Sequence, residues 1–487
     1  MSIGGLARDS FIYALGNGLR GLAQLVALPI FTFYLAPAEF GVIALLTVFG
    51  IVCRALFGLG FSVSTAVVYF RREDESHRAD TVWTALTTSA VAAVALIGLS
   101  AAFAGPISRS LTGDASHGPL VLLFAISIAL QQVAYPLIWR LQFRIRPLRY
   151  IAAFSGATVV GIVVALVLVA LAERGIAGWI EGALIGSVVM VMLAVGFNRD
   201  IVRARFQMAN LGEQLRLGLP IVPSLLFVFV LQSAGTYLMR YAEGGTGAVG
   251  IYGIGYSFGL AMSLAVTGFI TAWTPFFQAF AVRQNNAPPA FARAHLLYTW
   301  GFGAVTLLFF VGARPAVLIL TEPAYHDAYR VIGILAAAQF LIGTWSMLLP
   351  GLYFAGRTYV QTVIQGVAAA VTVGLTALLI PRAGIDGAAL AMVLGTLVMC
   401  ALLAVHNSTS RYAAMDYRLR PVVAALFVLG LAGGCQRILD ETLSPETAAL
   451  GSVAIVVAYV GCALALLPPA DRARLRVRRL LGGDRRT

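Results

Sequence analysis

Lysine is absent from this 487-residue chain, so all 34 of its basic residues are arginine. Charge of either sign is scarce, at 11% of residues, against about 25% in soluble domains. The 21 acidic residues all lie between or beside long apolar runs, and none lies deep inside one. The four cysteines (Cys53, Cys400, Cys435, Cys462) sit in or beside apolar stretches without metal-ligand spacing and read as small apolar residues. No long polar segment interrupts the apolar runs, which leaves no room for a soluble catalytic domain. These absences exclude a Rossmann or barrel enzyme, a metal centre and a bound cofactor. The net charge of +13 does not indicate nucleic acid, because the arginines lie between apolar runs rather than along one solvated face. They read as topology signals and contacts to anionic membrane lipids.

What the chain does have is apolar length. Hydrophobic residues make up 60%, there are 50 glycines, and the mean hydropathy is +0.87. A hydrocarbon core of about 30 Å takes about 20 apolar residues per helix. Windows bounded by charge or Gly/Pro breaks predict fourteen spans: 11–35, 40–70, 80–104, 119–141, 149–172, 178–197, 215–240, 247–280, 291–320, 328–354, 358–380, 385–405, 420–438 and 447–467. Runs this long and uniform exclude the alternating strands of an outer-membrane barrel. The fold class expected is an all-α polytopic membrane protein. The first run is too long for a signal-peptide core and lacks a small-residue cleavage site, so it is expected to stay as the first span.

Arginine counts set the orientation. With the N-terminus inside, 25 arginines fall in inner segments and seven (Arg109, Arg174, Arg240, Arg314, Arg330, Arg382, Arg437) in outer ones. The positive-inside rule then predicts both termini in the cytoplasm. The tail Arg472-Ala-Arg474-Leu-Arg476-Val-Arg478-Arg479 reads as a lipid-surface anchor.

An internal repeat is visible at an offset of 209. Gly175-Ile176-Ala177-Gly178 corresponds to Gly384-Ile385-Asp386-Gly387, and Gly186, Val189, Met190 and Leu193 match Gly395, Val398, Met399 and Leu402. The same offset relates Tyr150 to Tyr359 and Gly41 to Gly250. Spans 1–6 therefore read as duplicated in spans 7–12 with one shared orientation, around an axis along the membrane normal. The organisation expected is an N-terminal lobe over 1–210, a C-terminal lobe over 211–410, two further spans over 411–470 and a basic tail over 471–487. Two bundles facing one another make a cleft, and rocking them gives alternating access.

The two arginines outside these counts, Arg20 and Arg54, fall near the middle of the first and second spans. Each costs about 2.5–3.5 kcal/mol on insertion scales, so such residues face a cavity or a partner. Tyr13, Asn17 and Gln24 share a helical face with Arg20, and Thr47, Gly50, Gly58, Ser62 and Thr65 lie on or near that of Arg54. A weaker stripe, Ser224, Gln232, Thr236 and Arg240, repeats at multiples of four in the seventh span. The candidate substrate-binding residues are thus Arg20, Arg54, Asn17, Gln24 and Arg240, with no catalytic or metal-ligating residue. The positions equivalent to Arg20 and Arg54 in the second copy are Phe229 and Ser263, which confines the cationic character to the first lobe. A structural alternative stands beside this: a deep arginine can bind backbone carbonyls or brace a kink at Gly16, Gly18 and Gly21, and Arg240 can contact headgroups.

Arginine stays charged and binds phosphate oxygens bidentately. Two fixed cations without a deep carboxylate suit an anion such as a lipid diphosphate. An organic cation exchanged for protons would need a titratable carboxylate. A membrane polymerase or acyltransferase would need acid–base residues, usually in a larger loop, and His295 and His406 lack such a loop.

Pro29-Ile30-Phe31-Thr32 through Leu35-Ala-Pro-Ala-Glu39-Phe40-Gly41-Val42, Ala272-Trp273-Thr-Pro275-Phe276, and Thr321-Glu-Pro-Ala-Tyr325 followed by Gly351-Leu-Tyr-Phe354-Ala-Gly356-Arg357-Thr358 form a recognisable set. It continues through Ile380-Pro381-Arg-Ala-Gly384-Ile-Asp-Gly387-Ala-Ala389. The whole resembles the oligosaccharide-lipid flippase branch of the multidrug/oligosaccharidyl-lipid/polysaccharide exporter superfamily. The resemblance implies two six-helix lobes plus two helices in a bacterial inner membrane. It implies transfer of an undecaprenyl-diphosphate-linked oligosaccharide to the periplasmic leaflet for surface polysaccharide (O-antigen or exopolysaccharide), with a polysaccharide polymerase as a downstream partner. A lipid II flippase and a cation-coupled multidrug exporter are the alternatives within the superfamily. Many members carry an Asp-Arg pair late in span 7; here Gly235-Thr236 stand at that place.

Overall fold

A segment that crosses lipid must satisfy every backbone polar group internally, and helices do so within one segment. The structure, a computed structural model, describes residues 3–283, 287–354, 359–409, 419–443 and 445–466, and helix is the regular structure found among them. Asn17 and Tyr13 belong to a stretch of the first helix whose side chains lie outside the described ones, as does the basic tail. The copy of the repeat expected to form the first lobe contains α1 (Ile3–Thr32), α2 (Pro37–Phe70), α3 (Glu75–Ala102), α4 (Gly118–Phe143), α5 (Pro147–Ala170) and α6 (Gly175–Phe197). The second has α7 (Val222–Met239), α8 (Gly245–Gly259, continuing as Ala261–Arg283), α9 (Ala287–Leu320) and α10 (Tyr329–Leu348). The 51-residue helix Tyr359–Thr409 leaves helical geometry at Gly384 (φ 53°, ψ −129°) and makes two crossings, α11 (359–383) and α12 (385–409). Two more follow, α13 (Leu419–Thr442) and α14 (Pro445–Leu466).

Fourteen long helices are thus present among the described residues, and eleven stretches, with 359–409 counted as one, are long and apolar enough to cross a membrane. Three local features differ from the expected pattern. α2 is interrupted where Leu59 (φ 51°) and Gly60 (φ 68°) turn left-handed, so Ser62 and Thr65 do not continue the face that carries Arg54. A short helix, Ala104–Thr112, follows α3, and another, Met208–Gly218, leads into α7. Both are too short and too polar to register as spans.

Helices associate in lipid by close contact at small residues rather than by apolar burial. In the first lobe, a Cβ on Gly186 would stand 2.9 Å from Gly161 Cα and 3.0 Å from the Ala157 carbonyl oxygen. In the second, Gly395 lies against Thr372 and Ala368 in the same way. Gly186 and Gly395 differ by 209, whereas their partners differ by 211. The repeat is therefore shifted by two residues along α5 and α11. Gly175 and Gly384, also 209 apart, share a left-handed φ of 52° and 53° at the turn between these helix pairs.

The C-terminal ends of α4 and α6 are tied by a buried arginine rather than by topology-setting charge alone. Arg140 donates to Asn198 Oδ1 (3.0 Å) and to both Asp200 oxygens (2.9 and 2.6 Å), and Arg144 adds a bond to Asp200 Oδ2 (3.1 Å). The hydrogen bond from Arg140 is the main cause that holds the Asp200 carboxyl well below the usual carboxylate range. A depressed folded-state pKa adds stability above the unfolded value, about 4, and loses it as pH falls below that. Asp200→Asn is expected to lower the thermal midpoint of the detergent-solubilised protein near neutral pH. The cost is about 1–3 kcal/mol, because Arg140 is left buried without its carboxylate. The gap between variant and native protein should narrow below about pH 4.

Candidate functional site

Five helices, α1, α2, α4, α5 and α6, enclose a cavity of about 290 Å³ lined by Arg20, Gln24, Thr47, Arg54, Gln131, Tyr135 and Ser187, among others. Arg20 lies twelve residues before the end of α1, about 18 Å at 1.5 Å per residue. Arg54 lies near the middle of the 34-residue α2. Both are therefore far from either surface, and the fold turns both toward one space.

Each guanidinium is held differently. The Arg20 guanidinium carbon lies 4.7 Å from the centroid of the Phe154 ring, and its buried Nε has no hydrogen-bond partner. Phe154 belongs to a π-helical turn, Ala152–Gly156, at the start of the long part of α5. Such turns re-aim side chains within an otherwise regular helix. Arg54 Nε donates to the Gly50 carbonyl (3.4 Å) and Nη1 to Gln131 Oε1 (3.3 Å). Gln131 is oriented from its other side, where Nε2 donates to Ser187 Oγ (3.0 Å). Ser187 in turn meets Ser127 Oγ at 2.8 Å, and Tyr135 donates to Gln131 Oε1 (3.4 Å). The bonds to Arg54 are long and use neutral acceptors, so its charge is steered without being neutralised. Among the described residues, no carboxylate lies within 4 Å of Arg20 or Arg54, and none lines the cavity.

Gln24 joins the two arginines in this lining. Arg240 does not: it stands at the outer end of α7, where its Nη1 donates to the Arg109 carbonyl (3.2 Å) and its guanidinium covers Tyr241 at 4.3 Å. The rest of its stripe is used for packing, Ser224 donating to Gln365 and Gln232 accepting from Tyr256 (3.4 Å). Sequence reasoning missed Gln131, Ser187 and Phe154. Ser127, Gln131 and Tyr135 recur every four residues in an apolar span, the signal that marked Gln24.

α2 presents a second face to the other lobe. Val48, Phe49 and Val52, with Phe103, Ile107, Phe229 and Leu238, line an apolar opening of about 880 Å³ between the lobes. Phe229, the repeat mate of Arg20, thus faces apolar space.

The lobes are joined at the end of the molecule where α1 leads into α2, the side expected to be outer. Tyr325 donates to the Leu35 carbonyl (2.7 Å) and packs edge-on against Phe40, and Tyr237 meets Ser110 Oγ at 3.2 Å. At the centre, a Cβ on Gly41 would overlap the Thr246 carbonyl oxygen, and one on Gly250 would overlap that of Pro37. Pro37 and Thr246, like Gly41 and Gly250, are 209 apart, so the contact is locally two-fold. Two of the sequence patterns singled out above, Leu35–Val42 and Thr321–Tyr325, meet in this seam.

A family model described as "Polysaccharide biosynthesis protein" matches residues 6–281. The fold is similar to that of an inward-facing multidrug resistance MATE family transporter of the MOP superfamily (TM-score 0.66, 17% identity, 84% of this chain and 96% of the other). It is similar also to the lipid II flippase MurJ in an inward closed conformation (TM-score 0.68, 12% identity, 97% and 100%). A third likeness is to a Vibrio cholerae MATE transporter, VcmN (TM-score 0.56, 14% identity, 84% and 97%). At these identities the likeness is one of fold. No curated protein sequence matches the chain.

Proposed function

Because this chain belongs to the polysaccharide biosynthesis protein family, a family of membrane flippases, we propose that it moves an undecaprenyl-diphosphate-linked oligosaccharide across a bacterial inner membrane by alternating access. The observation that carries this reading is the pairing of two guanidinium groups, each far from its helix ends, in one cavity with no carboxylate among its described lining residues. A diphosphate supplies the missing negative charge. In a low-dielectric cavity its charge-assisted hydrogen bonds are strong. Arg20, with its unpartnered Nε, and Arg54, steered by Gln131, are the groups assigned to it.

Size sets the rest of the arrangement. At about 30 Å³ per water, 290 Å³ accommodates on the order of ten waters. That is room for a diphosphate but not for an oligosaccharide. The glycan is therefore assigned to the space between the lobes and the prenyl chain to the apolar opening beside Phe229. The closed outer seam corresponds to the stage that receives substrate from the cytoplasm, both termini lying on that side.

Proteoliposomes loaded with a fluorescent undecaprenyl-diphosphate oligosaccharide, with lipid II, or with the lipophilic cation tetraphenylphosphonium test the assignment. The oligosaccharide lipid is expected to change leaflet and the cation to stay. Proton-driven movement of the cation without lipid movement would reject the reading. Movement of lipid II alone would reject the surface-polysaccharide substrate.

A further inference from the structure

A second concave site lies in the other lobe and shares no lining residue with the arginine cavity. It is a groove of about 1000 Å³ between α10, α12 and α13. Its walls are apolar, built from residues such as Ile334, Leu341, Leu390 and Leu397, and Gly430, Gly433 and Gly434 flatten the α13 side. Its outer mouth is not apolar. Arg330, Arg382 and Arg437 converge there around Asp386, the single lining carboxylate among the described residues. Three residues that the sequence disperses over more than a hundred positions thus form one cationic rim.

The rim is built but incompletely satisfied. Asp386 Oδ2 accepts from Arg330 and from Arg437 Nη2 (2.8 Å), and Arg437 Nε also reaches Glu441 (3.0 Å), which lies outside the groove. Arg382 donates to the Leu378 carbonyl of its own helix (2.7 Å) and is in no ion pair among the described residues. The groove lining carries an excess of two positive charges, reduced to one by Glu441. Asp386 is buried, and its other oxygen, Oδ1, has no partner. An occupant must therefore bring negative charge for the guanidinium groups, a hydrogen-bond donor for Asp386, and an apolar chain for the groove. From Arg437 to Leu426, α13 rises eleven residues, about 16 Å. That is about half the 30 Å hydrocarbon core, the depth of one leaflet.

We propose that this groove binds an anionic phospholipid of the outer leaflet with the chemistry of phosphatidylglycerol. The phosphate bridges Arg382 and Arg330, a glycerol hydroxyl donates to Asp386 Oδ1, and one acyl chain lies along the glycines of α13. Phosphatidylcholine lacks both the net charge and the donor. Phosphatidylethanolamine supplies a donor but leaves the excess positive charge in place.

The test uses full-length protein carrying Arg20→Gln and Arg54→Gln, so that the diphosphate cavity does not contribute. Delipidated protein in detergent is titrated with phosphatidylglycerol, phosphatidylethanolamine, phosphatidylcholine or glycerol phosphate, and retained lipid is read by native mass spectrometry. Phosphatidylglycerol is expected to be retained about tenfold more tightly than phosphatidylcholine, and glycerol phosphate not at all. Arg382→Gln should weaken phosphatidylglycerol retention about tenfold by removing one charge-assisted contact. Gly430→Leu should do so by filling the groove, since no atom lies within 4 Å of a Cβ there and the helix itself is undisturbed. Arg382 is exposed and a Cβ at Gly430 meets nothing, so circular dichroism should be unchanged. Equal retention of phosphatidylglycerol and phosphatidylcholine, or undiminished phosphatidylglycerol retention in both variants, would overturn the site. Binding of glycerol phosphate as tight as that of phosphatidylglycerol would overturn its assignment to lipid.

Discussion

Replacing Arg20 and Arg54 together by glutamine is expected to lower translocation of the diphosphate-linked lipid at least about a hundredfold, since each guanidinium contributes about 1.5–3 kcal/mol through charged hydrogen bonds. The protein should still reach the membrane and keep its helical content. Neither arginine is tied to a carboxylate among the described residues, so neutralising both strands no buried anion. A merely structural arginine would give the opposite pattern, a loss of thermal stability that precedes any loss of transport. Arg20→Gln alone should cost more than Arg54→Gln. Arg20 offers an unpartnered Nε to the substrate, whereas Arg54 already spends part of its donor set on Gly50 and Gln131. Lysine at position 20 should restore only part of the activity, because it supplies charge without the planar fork.

The next largest effect is expected at the outer seam. Gly41→Ala or Gly250→Ala puts a methyl group onto a backbone carbonyl, Thr246 in one case and Pro37 in the other. Backbone cannot yield as a side chain end can, so α2 and α8 must separate. Overpacking of this kind costs about 1–3 kcal/mol. That penalty falls on the closed arrangement, so the equilibrium should shift about tenfold or more toward an open outer side. The two single variants should resemble one another, because the contact is locally two-fold. Export of the oligosaccharide lipid should fall, and a cysteine introduced at Ser110 should react faster with a membrane-impermeant thiol reagent. Unchanged labelling in both variants would show that the glycine contact is not part of the closure.

Much of this was legible from residue chemistry. Apolar length required helices, and the number of apolar windows agrees with the fourteen long helices. The deep arginines stood out because nothing else in those runs carries charge. Gln24 followed from helical spacing, and the same spacing of Ser127, Gln131 and Tyr135 would have marked the partner of Arg54. Other features leave no compositional trace. The π turn that aims Phe154 at Arg20 is a change of hydrogen-bond register in an ordinary apolar sequence. The two-residue shift between α5 and α11 is hidden because alanine and valine match alanine and valine at any register. The break after Gly58 depends on left-handed Leu59, a residue that rarely adopts that conformation. Arg240 lies outside the arginine cavity for a simpler reason: its four-residue stripe is genuine, but the stripe packs against α8 and α11 and ends where the lobes meet.

The Asp386 cluster shows the limit of counting charges by position. The sequence places Arg330, Arg382, Asp386 and Arg437 at separate span ends, where each looks like an isolated headgroup contact. Only the turn at Gly384, the packing of α10 on α12, and α9, which packs against both α10 and α13, bring them together.

The central claim is that the first-lobe cavity is electropositive and receives a diphosphate. Equilibrium binding of farnesyl diphosphate to the purified protein, native against the Arg20→Gln/Arg54→Gln variant, tests it most directly, with farnesol as the uncharged control. Binding by the native protein, a loss of at least about a hundredfold in the double variant and no binding of farnesol are expected. Equal affinity of native and variant protein for the diphosphate would contradict the account.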